Sequence, residues 1–238
     1  MKLLKKIFVL FQNFLWIYGL LNGVAASFEL SPFLRKIKKI NTLIDIGSNK
    51  GQFILLCLKF FPSLTIYSIE PIKEILERQR NFFKFRKSIF FFNFGIGNKN
   101  KNLNFYITER MDSSSFLTIN KSDNFNKNYS VKEKRSIKIR QLDQILKNKI
   151  LIKPTLIKID VQGYELEVLK SAKKILSKTD FILLEVSKNK MYNKQPLERE
   201  IINFLKKKNF IIKKKSNWIK IKNTKFMQRD ILFKRKIN

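Results

Sequence analysis

From residue 42 onward, short runs of apolar, β-branched and aromatic residues alternate with longer stretches whose apolar positions recur every three or four residues. The first pattern is that of buried strands and the second that of helices with one buried face. Runs at 42–46 (TLIDI), 64–69, 88–94, 156–161 and 181–186 predict strands, and stretches at 53–60, 73–84, 164–176 and 197–208 predict helices. Between 98 and 149 the pattern is less regular. Residues 103–108 and 136–140 alternate like half-exposed strands, 112–115 is a polar turn, 122–130 a loop rich in Asn and Lys, and 142–146 a short helix. Two last strands are expected near 218–221 and 230–234. Strands joined by helices predict an α/β fold with an open, doubly wound parallel sheet.

The first thirty residues read differently. Lys2, Lys5 and Lys6 precede residues 7–28, which carry no charge and include FVLF and FLWIYGLL, interrupted by Gln12, Asn13 and Asn22. The length suits a membrane-spanning helix of about 20 residues, but the polar interruptions weaken it. Three readings stay open: a helix packed on the main domain or on a membrane surface, an anchor, and a cleaved signal ending near Val24-Ala25-Ala26. The chain is therefore divided into a hydrophobic helical segment at 1–30 and a main domain at 31–238.

Composition narrows the chemistry. The chain contains no histidine, which removes Ser-His-Asp and Cys-His nucleophiles and every imidazole base. Its single cysteine, Cys57, excludes an internal disulfide and a cysteine-rich zinc site. The net charge of +32 suggests a polyanion partner or a lysine-biased composition. Lysines outnumber arginines 40 to 10 and are spread along the chain, which favours the second reading, since arginine is the usual grip on phosphate.

In an open α/β sheet the ligand lies beyond the carboxyl ends of the strands. The first strand ends in Asp45-Ile46-Gly47-Ser48-Asn49-Lys50-Gly51, where Gly47 permits a tight turn and Gly51 a close helix start. This is neither GxGxxG nor a phosphate-binding GxxxxGK[ST] loop, and an acid at the strand end favours a ligand with a cationic part. Glu70 lies 19 residues beyond Gly51, about where an acid accepts ribose hydroxyls in nucleoside-binding sheets. Alone it reads equally well as a helix-capping acid. Together these elements describe a site for a nucleoside with a positive centre, a description that S-adenosylmethionine fits.

The segment LIKIDVQGYELEVLK at 156–170 resembles the signature of FkbM-type methyltransferases, a class I S-adenosylmethionine-dependent family. LIDIGSNKG, YSIEP, NFGIGNKNKNLNFY, SSSF, IRQLDQIL, LLEVS and RDILFKR agree in order, from residue 42 to about 235, with Gln162 and Tyr164 as mild departures. The resemblance implies a Rossmann-like, mostly parallel seven-stranded sheet with an antiparallel C-terminal strand. It implies S-adenosylmethionine held by Asp45, Gly47, Asn49 and Gly51 on the methionine side, Glu70 at the ribose and Asn93 near the adenine. Asp160, or Glu185, would act on the acceptor hydroxyl; Lys158 would stabilise an alkoxide or serve the strand. No metal ligands are assigned, and whether a metal is needed stays open, with Asp112, Asp160 and Glu185 as the carboxylates that could bind a hard cation. Glu165 and Glu167 read as catalytic or as helix N-terminal acids, and Ser113–Ser115 as a polar turn near the site.

The expected reaction is O-methylation of a small hydroxylated or saccharide acceptor. An RNA methyltransferase, or a non-catalytic basic binder at a membrane, are the alternatives. S-adenosylmethionine is an intracellular metabolite, so the catalytic domain is expected in the cytoplasm, with a peripheral membrane contact through residues 1–28 as one outcome.

Overall fold

The computed structural model describes residues 14–120, 129–221 and 224–236. In chain order its strands are β1 (Thr42–Ile46), β2 (Thr65–Ile69), β3 (Ile89–Phe92), β4 (Gly95–Ile96), β5 (Lys101–Thr108) and β6 (Val131–Arg140). They continue with β7 (Thr155–Ile159), β8 (Phe181–Ser187), β9 (Phe210–Lys215), β10 (Ile219–Lys220) and β11 (Met227–Arg235). The main sheet runs β3-β2-β1-β7-β8-β11, parallel up to β8, with β11 antiparallel to β8. The outermost position is shared: β9 pairs with residues 231–235 of β11 and β10 with residues 227–228. The sheet expected to have seven strands is thus seven positions wide but built from eight.

The helices are α1 (Phe14–Leu21), α2 (Ser31–Leu34), α3 (Gln52–Phe60), α4 (Lys73–Phe82), α5 (Leu142–Ile145), α6 (Glu165–Lys170), α7 (Lys173–Ser177) and α8 (Glu198–Lys206). Every residue of β1 and β7 is buried, as central strands covered on both faces must be, and so both read as continuous apolar runs. One face, with Leu43, Leu156 and Leu183, packs on Phe53, Leu56 and the segment before β1. The other, with Ile44, Ile157 and Leu184, packs on Val168, Ile175 and Leu205 from α6, α7 and α8.

Three local features depart from the sequence expectations. The helix expected over 164–176 breaks into α6 and α7, because the Asp143 carboxylate accepts the backbone N–H groups of Lys174 and Ile175 and starts a new helix there. Strand β9 was hidden by its FIIKKK composition; its lysines lie on an edge, where charge suppresses pairing with other chains. Between β3 and β7 the chain builds a second sheet, β4-β6-β5, which overhangs the carboxyl ends of the main strands.

In the described part of the N-terminal segment, α1 packs on α3. Trp16 is buried and donates from Nε1 to the Leu55 carbonyl at 3.3 Å, and a Cβ at Gly19 would lie 2.5 Å from the Leu55 side chain. Residues 7–13 of the segment lie outside the described residues, as do 121–128 of the Asn- and Lys-rich loop. No helix among the described residues is long and apolar enough to cross a membrane.

Candidate active site

The turn after β1 crosses toward β2. The N–H groups of Gly47 and Ser48 both donate to the Ile69 carbonyl, at 3.0 and 3.1 Å. Gly47 has φ +74°, and a Cβ there would lie 1.9 Å from the Asp160 carbonyl oxygen, so no other residue lets β1 and β7 end this close together. Asn49 is also left-handed, at φ 48°. Gly51 opens α3 against Phe83 and Gln79. Gln79, fully buried on α4, fixes the loop: its amide donates to the Asn49 carbonyl at 2.7 Å and to Ser48 Oγ at 3.1 Å, and its Oε1 accepts from Ser68 Oγ.

Glu70 stands at the end of β2, facing this turn. Its two carboxylate oxygens accept the backbone N–H groups of Asn49 and Ile72, both at 2.9 Å. Burial pushes its pKa up to about 7 despite those bonds. Each oxygen keeps a further lone pair for a hydroxyl. Asn93 does not line the cleft. Its amide donates to the carbonyls of Glu70 and Pro71 at 2.9 and 3.0 Å and so braces the loop.

Asp160 follows β7. Its Oδ2 accepts from Lys158 Nζ at 2.8 Å and its Oδ1 from Gln162 Nε2 at 3.0 Å, while 40% of its side chain remains exposed toward the cleft. Burial alone would raise its pKa, but the Lys158 charge and both hydrogen bonds outweigh burial and hold it below the ordinary carboxylate range. Asp45 pairs in register with Lys158, is completely buried, and neither of its carboxylate oxygens has a hydrogen-bond partner. Burial raises its pKa to about 6 against the attraction of Lys158.

Because Ile159 pairs with Leu184, Glu185 comes next to Asp160 one strand away, and it pairs in turn with Asp230 on β11. Glu185 does not line the cleft, and burial with the neighbouring carboxylates of Asp160, Asp230 and Glu165 raises its pKa well above the usual range. Glu165 accepts the Gly163 N–H at 2.8 Å and Glu167 pairs with Lys170 at 2.7 Å, so both brace the start of α6. Ser115 Oγ donates to the Gln162 carbonyl at 2.7 Å, Ser114 Oγ accepts the Thr108 N–H at 3.1 Å, and the Ser113 carbonyl accepts the Tyr192 hydroxyl at 2.8 Å. Ser115 thus ties the second sheet to the loop after β7, and the Ser113 carbonyl ties it to the loop after β8. Among the described residues no group of His, Cys, Asp and Glu is arranged to hold a metal ion.

Gly47, Asn49, Glu70 and Asp160 line one cleft of about 680 Å³, open to solvent, whereas Asp45 and Gly51 are buried and do not line it. Tyr164, noted in the sequence as a departure from the family signature, lines it too, whereas Ile72 and Ile75 from the β2–α4 side and Phe105 and Phe116 on the opposite wall escaped the sequence reading. Phe116 packs against Phe105 and Tyr164 with ring centroids 4.7 and 5.3 Å away. Aromatic residues in the irregular 98–149 region were the available signal, without a periodicity to orient them.

A parallel sheet whose glycine turn, strand-end acid and second acid share one cleft defines a Rossmann-like nucleoside-binding protein. The chain belongs to the methyltransferase FkbM domain family, whose match spans residues 45–212. It is 22% identical over 194 residues to the hexuronic acid methyltransferase AglP of Haloferax volcanii, covering 77% of this chain and 74% of that one. In fold it is similar to M. capricolum TrmK, solved with S-adenosyl-homocysteine, with a TM-score of 0.51 and 13% identity over 88% of this chain and 68% of that one. An uncharacterized protein from Listeria monocytogenes serotype 4b gives the same TM-score at 10% identity, over 90% of this chain and 70% of that one.

Proposed function

We propose that this protein transfers the methyl group of S-adenosylmethionine to a hydroxyl oxygen of a saccharide acceptor, on the cytoplasmic side of the membrane where that donor is made. The observation that carries the reading is the convergence of the Gly47 turn, Glu70 and Asp160 on one cleft. Charge supports the cofactor. Asp45, Asp160, Glu185 and Asp230 surround Lys158, the one buried cation among the described residues, and burial with mutual repulsion holds Asp45 near 6 and Asp230 near 7. A ligand carrying an ammonium and a sulfonium relieves that excess of negative charge. The family and the hexuronic acid methyltransferase relative support a methyl acceptor of the saccharide class.

When bound, S-adenosylmethionine supplies a methyl carbon activated by its sulfonium. Glu70, with a spare lone pair on each oxygen, would hold the cofactor by accepting the two ribose hydroxyls. The buried, unpartnered Asp45 carboxylate does not line the cleft and would favour the ammonium only through its charge. Asp160, held ionised by Lys158, would orient the acceptor hydroxyl and take its proton while that oxygen bonds the methyl carbon and the carbon–sulfur bond breaks, leaving the thioether S-adenosylhomocysteine. Lys158 keeps Asp160 in place and compensates its charge, acting as a positioning residue. Displacement at carbon needs little else beyond alignment, and Phe116 and Tyr164 give the cleft an apolar wall against which the reactants would be aligned.

Labelled methyl transfer from S-adenosylmethionine to uronic acid-containing saccharides, run beside total RNA, tests this reading. Saccharide labelling that Asp160→Asn lowers at least about a hundredfold is expected. Labelling of RNA alone would instead support the RNA methyltransferase reading that the +32 charge favours.

A further inference from the structure

A second recess lies on the far side of the glycine loop, between the end of α1 and the C-terminal half of α4, with about 860 Å³ of solvent-open space. Lys50, Arg78 and Lys84 line it and no acidic side chain does. Its aromatic wall is Tyr18 stacked on Phe82, centroids 5.4 Å apart. Next in sequence to its lining residues Asn22 and Lys84 come the two most exposed large apolar side chains among the described residues, Leu21 (81%) and Phe85 (84%), and Phe85 is embedded in the sequence Lys84-Phe85-Arg86-Lys87. An interfacial membrane contact requires apolar tips to enter the acyl boundary and basic groups at headgroup depth, and Leu21 and Phe85 with the cations around them supply both. Trp16 meanwhile holds α1 to Leu55, so the face is rigidly presented.

We propose that this face, formed by the end of α1 and the 78–87 segment, docks the protein on an anionic lipid surface. The observation is independent of the methyl-transfer reading, since none of these residues lines the catalytic cleft. Charge complementarity selects the partner: cations without an intervening acid attract phosphate-bearing headgroups, and a neutral bilayer offers them nothing. The contact is peripheral, made by the tips of Leu21 and Phe85 and by the cations around them.

The test is flotation of the full chain with vesicles of phosphatidylcholine alone and of phosphatidylcholine with phosphatidylglycerol. Binding to the anionic vesicles only, falling with added salt, is expected. Replacing both Arg78 and Lys84 by alanine should weaken it about thirtyfold, and Leu21→Ser with Phe85→Ser at least about tenfold. Lys207→Ala with Lys208→Ala, the same loss of charge on the turn after α8, should leave binding close to that of the unaltered protein. Thermal unfolding of each variant confirms that it is folded. Equal losses in both charge variants would overturn the proposal in favour of a nonspecific coat of lysines. So would binding to neutral vesicles, or RNA binding that is lost in the Arg78 and Lys84 variant without any vesicle binding.

Discussion

Asp45 shows how a single residue can be costly to the fold and useful to the site. Its carboxyl is raised from 3.8 to about 6 by burial, so the folded chain binds a proton more readily than the unfolded one between those values. Stability contributed by that proton is therefore present at low pH and lost as pH rises through about 6, a difference of about 3 kcal/mol. Asp45→Asn should be more stable than the unaltered protein by up to that amount at pH 8 and much less so at pH 5, as read by urea unfolding. It should also bind S-adenosylmethionine more weakly; a variant destabilised at pH 8 would contradict the electrostatic account. Gly47→Ala is predicted to be severe for a different reason. Its methyl would strike the Asp160 carbonyl while φ stays at +74°, so both stability, by at least about 2 kcal/mol, and ligand binding should fall, measured by thermal unfolding and calorimetry. Lys158→Met leaves the fully buried Asp45 and the part-exposed Asp160 without their cation. A destabilisation of about 3–5 kcal/mol is expected at pH 8 in urea unfolding, smaller at lower pH as the carboxylates are protonated.

At the scale of elements, α4 does more than cover the sheet. Gln79 sits in its apolar stripe between Leu76 and Phe83, and its amide joins Ser48, Ser68 and the Asn49 carbonyl into one network under the glycine turn. Gln79→Leu should cost about 1–3 kcal/mol in chemical denaturation, because the two hydroxyls and the carbonyl lose their partner. It should also weaken ligand binding through a loosened turn, whereas a purely structural role would leave affinity unchanged. Gln79 was visible in the sequence as a polar residue at an apolar position, yet only the fold shows what it holds. Strands such as β1 and β7 were legible because burial on both faces demands unbroken apolar runs. The residues after them, Gly47, Glu70 and Asp160, were legible because a parallel sheet fixes where its ligand lies. Strand β9 and the division between α6 and α7 were not, since edge exposure admits lysines and the capping Asp143 lies about thirty residues away in the chain. Asn93 and Glu185 illustrate the same limit: Asn93 follows β3, and Glu185 lies inside β8, which runs two residues further, and tertiary contacts direct Asn93 to loop carbonyls and place Glu185 beside Asp230.

For the whole molecule, the +32 charge and the acidic cleft point in opposite directions. The lysine surface sets solubility and nonspecific attraction, while the excess of carboxylates beneath the cleft selects a cationic ligand. The protein should accordingly adhere to RNA at low ionic strength and release it steeply as salt increases, without methylating it; filter binding across a salt series measures this. Ligand affinity should respond to pH in the reverse sense of a phosphate site. As pH falls through 7 toward 6, Glu70 and then Asp45 take up protons and a cationic nucleoside should bind less tightly. The most direct test of the account is calorimetric titration of the full chain with S-adenosylmethionine at pH 8, beside Glu70→Ala and Asp45→Asn. Saturable binding to the unaltered protein, weakened at least about tenfold in each folded variant, is the predicted result. A folded protein that binds no S-adenosylmethionine, or variants that bind it as tightly as the unaltered chain, would contradict the assignment of this cleft.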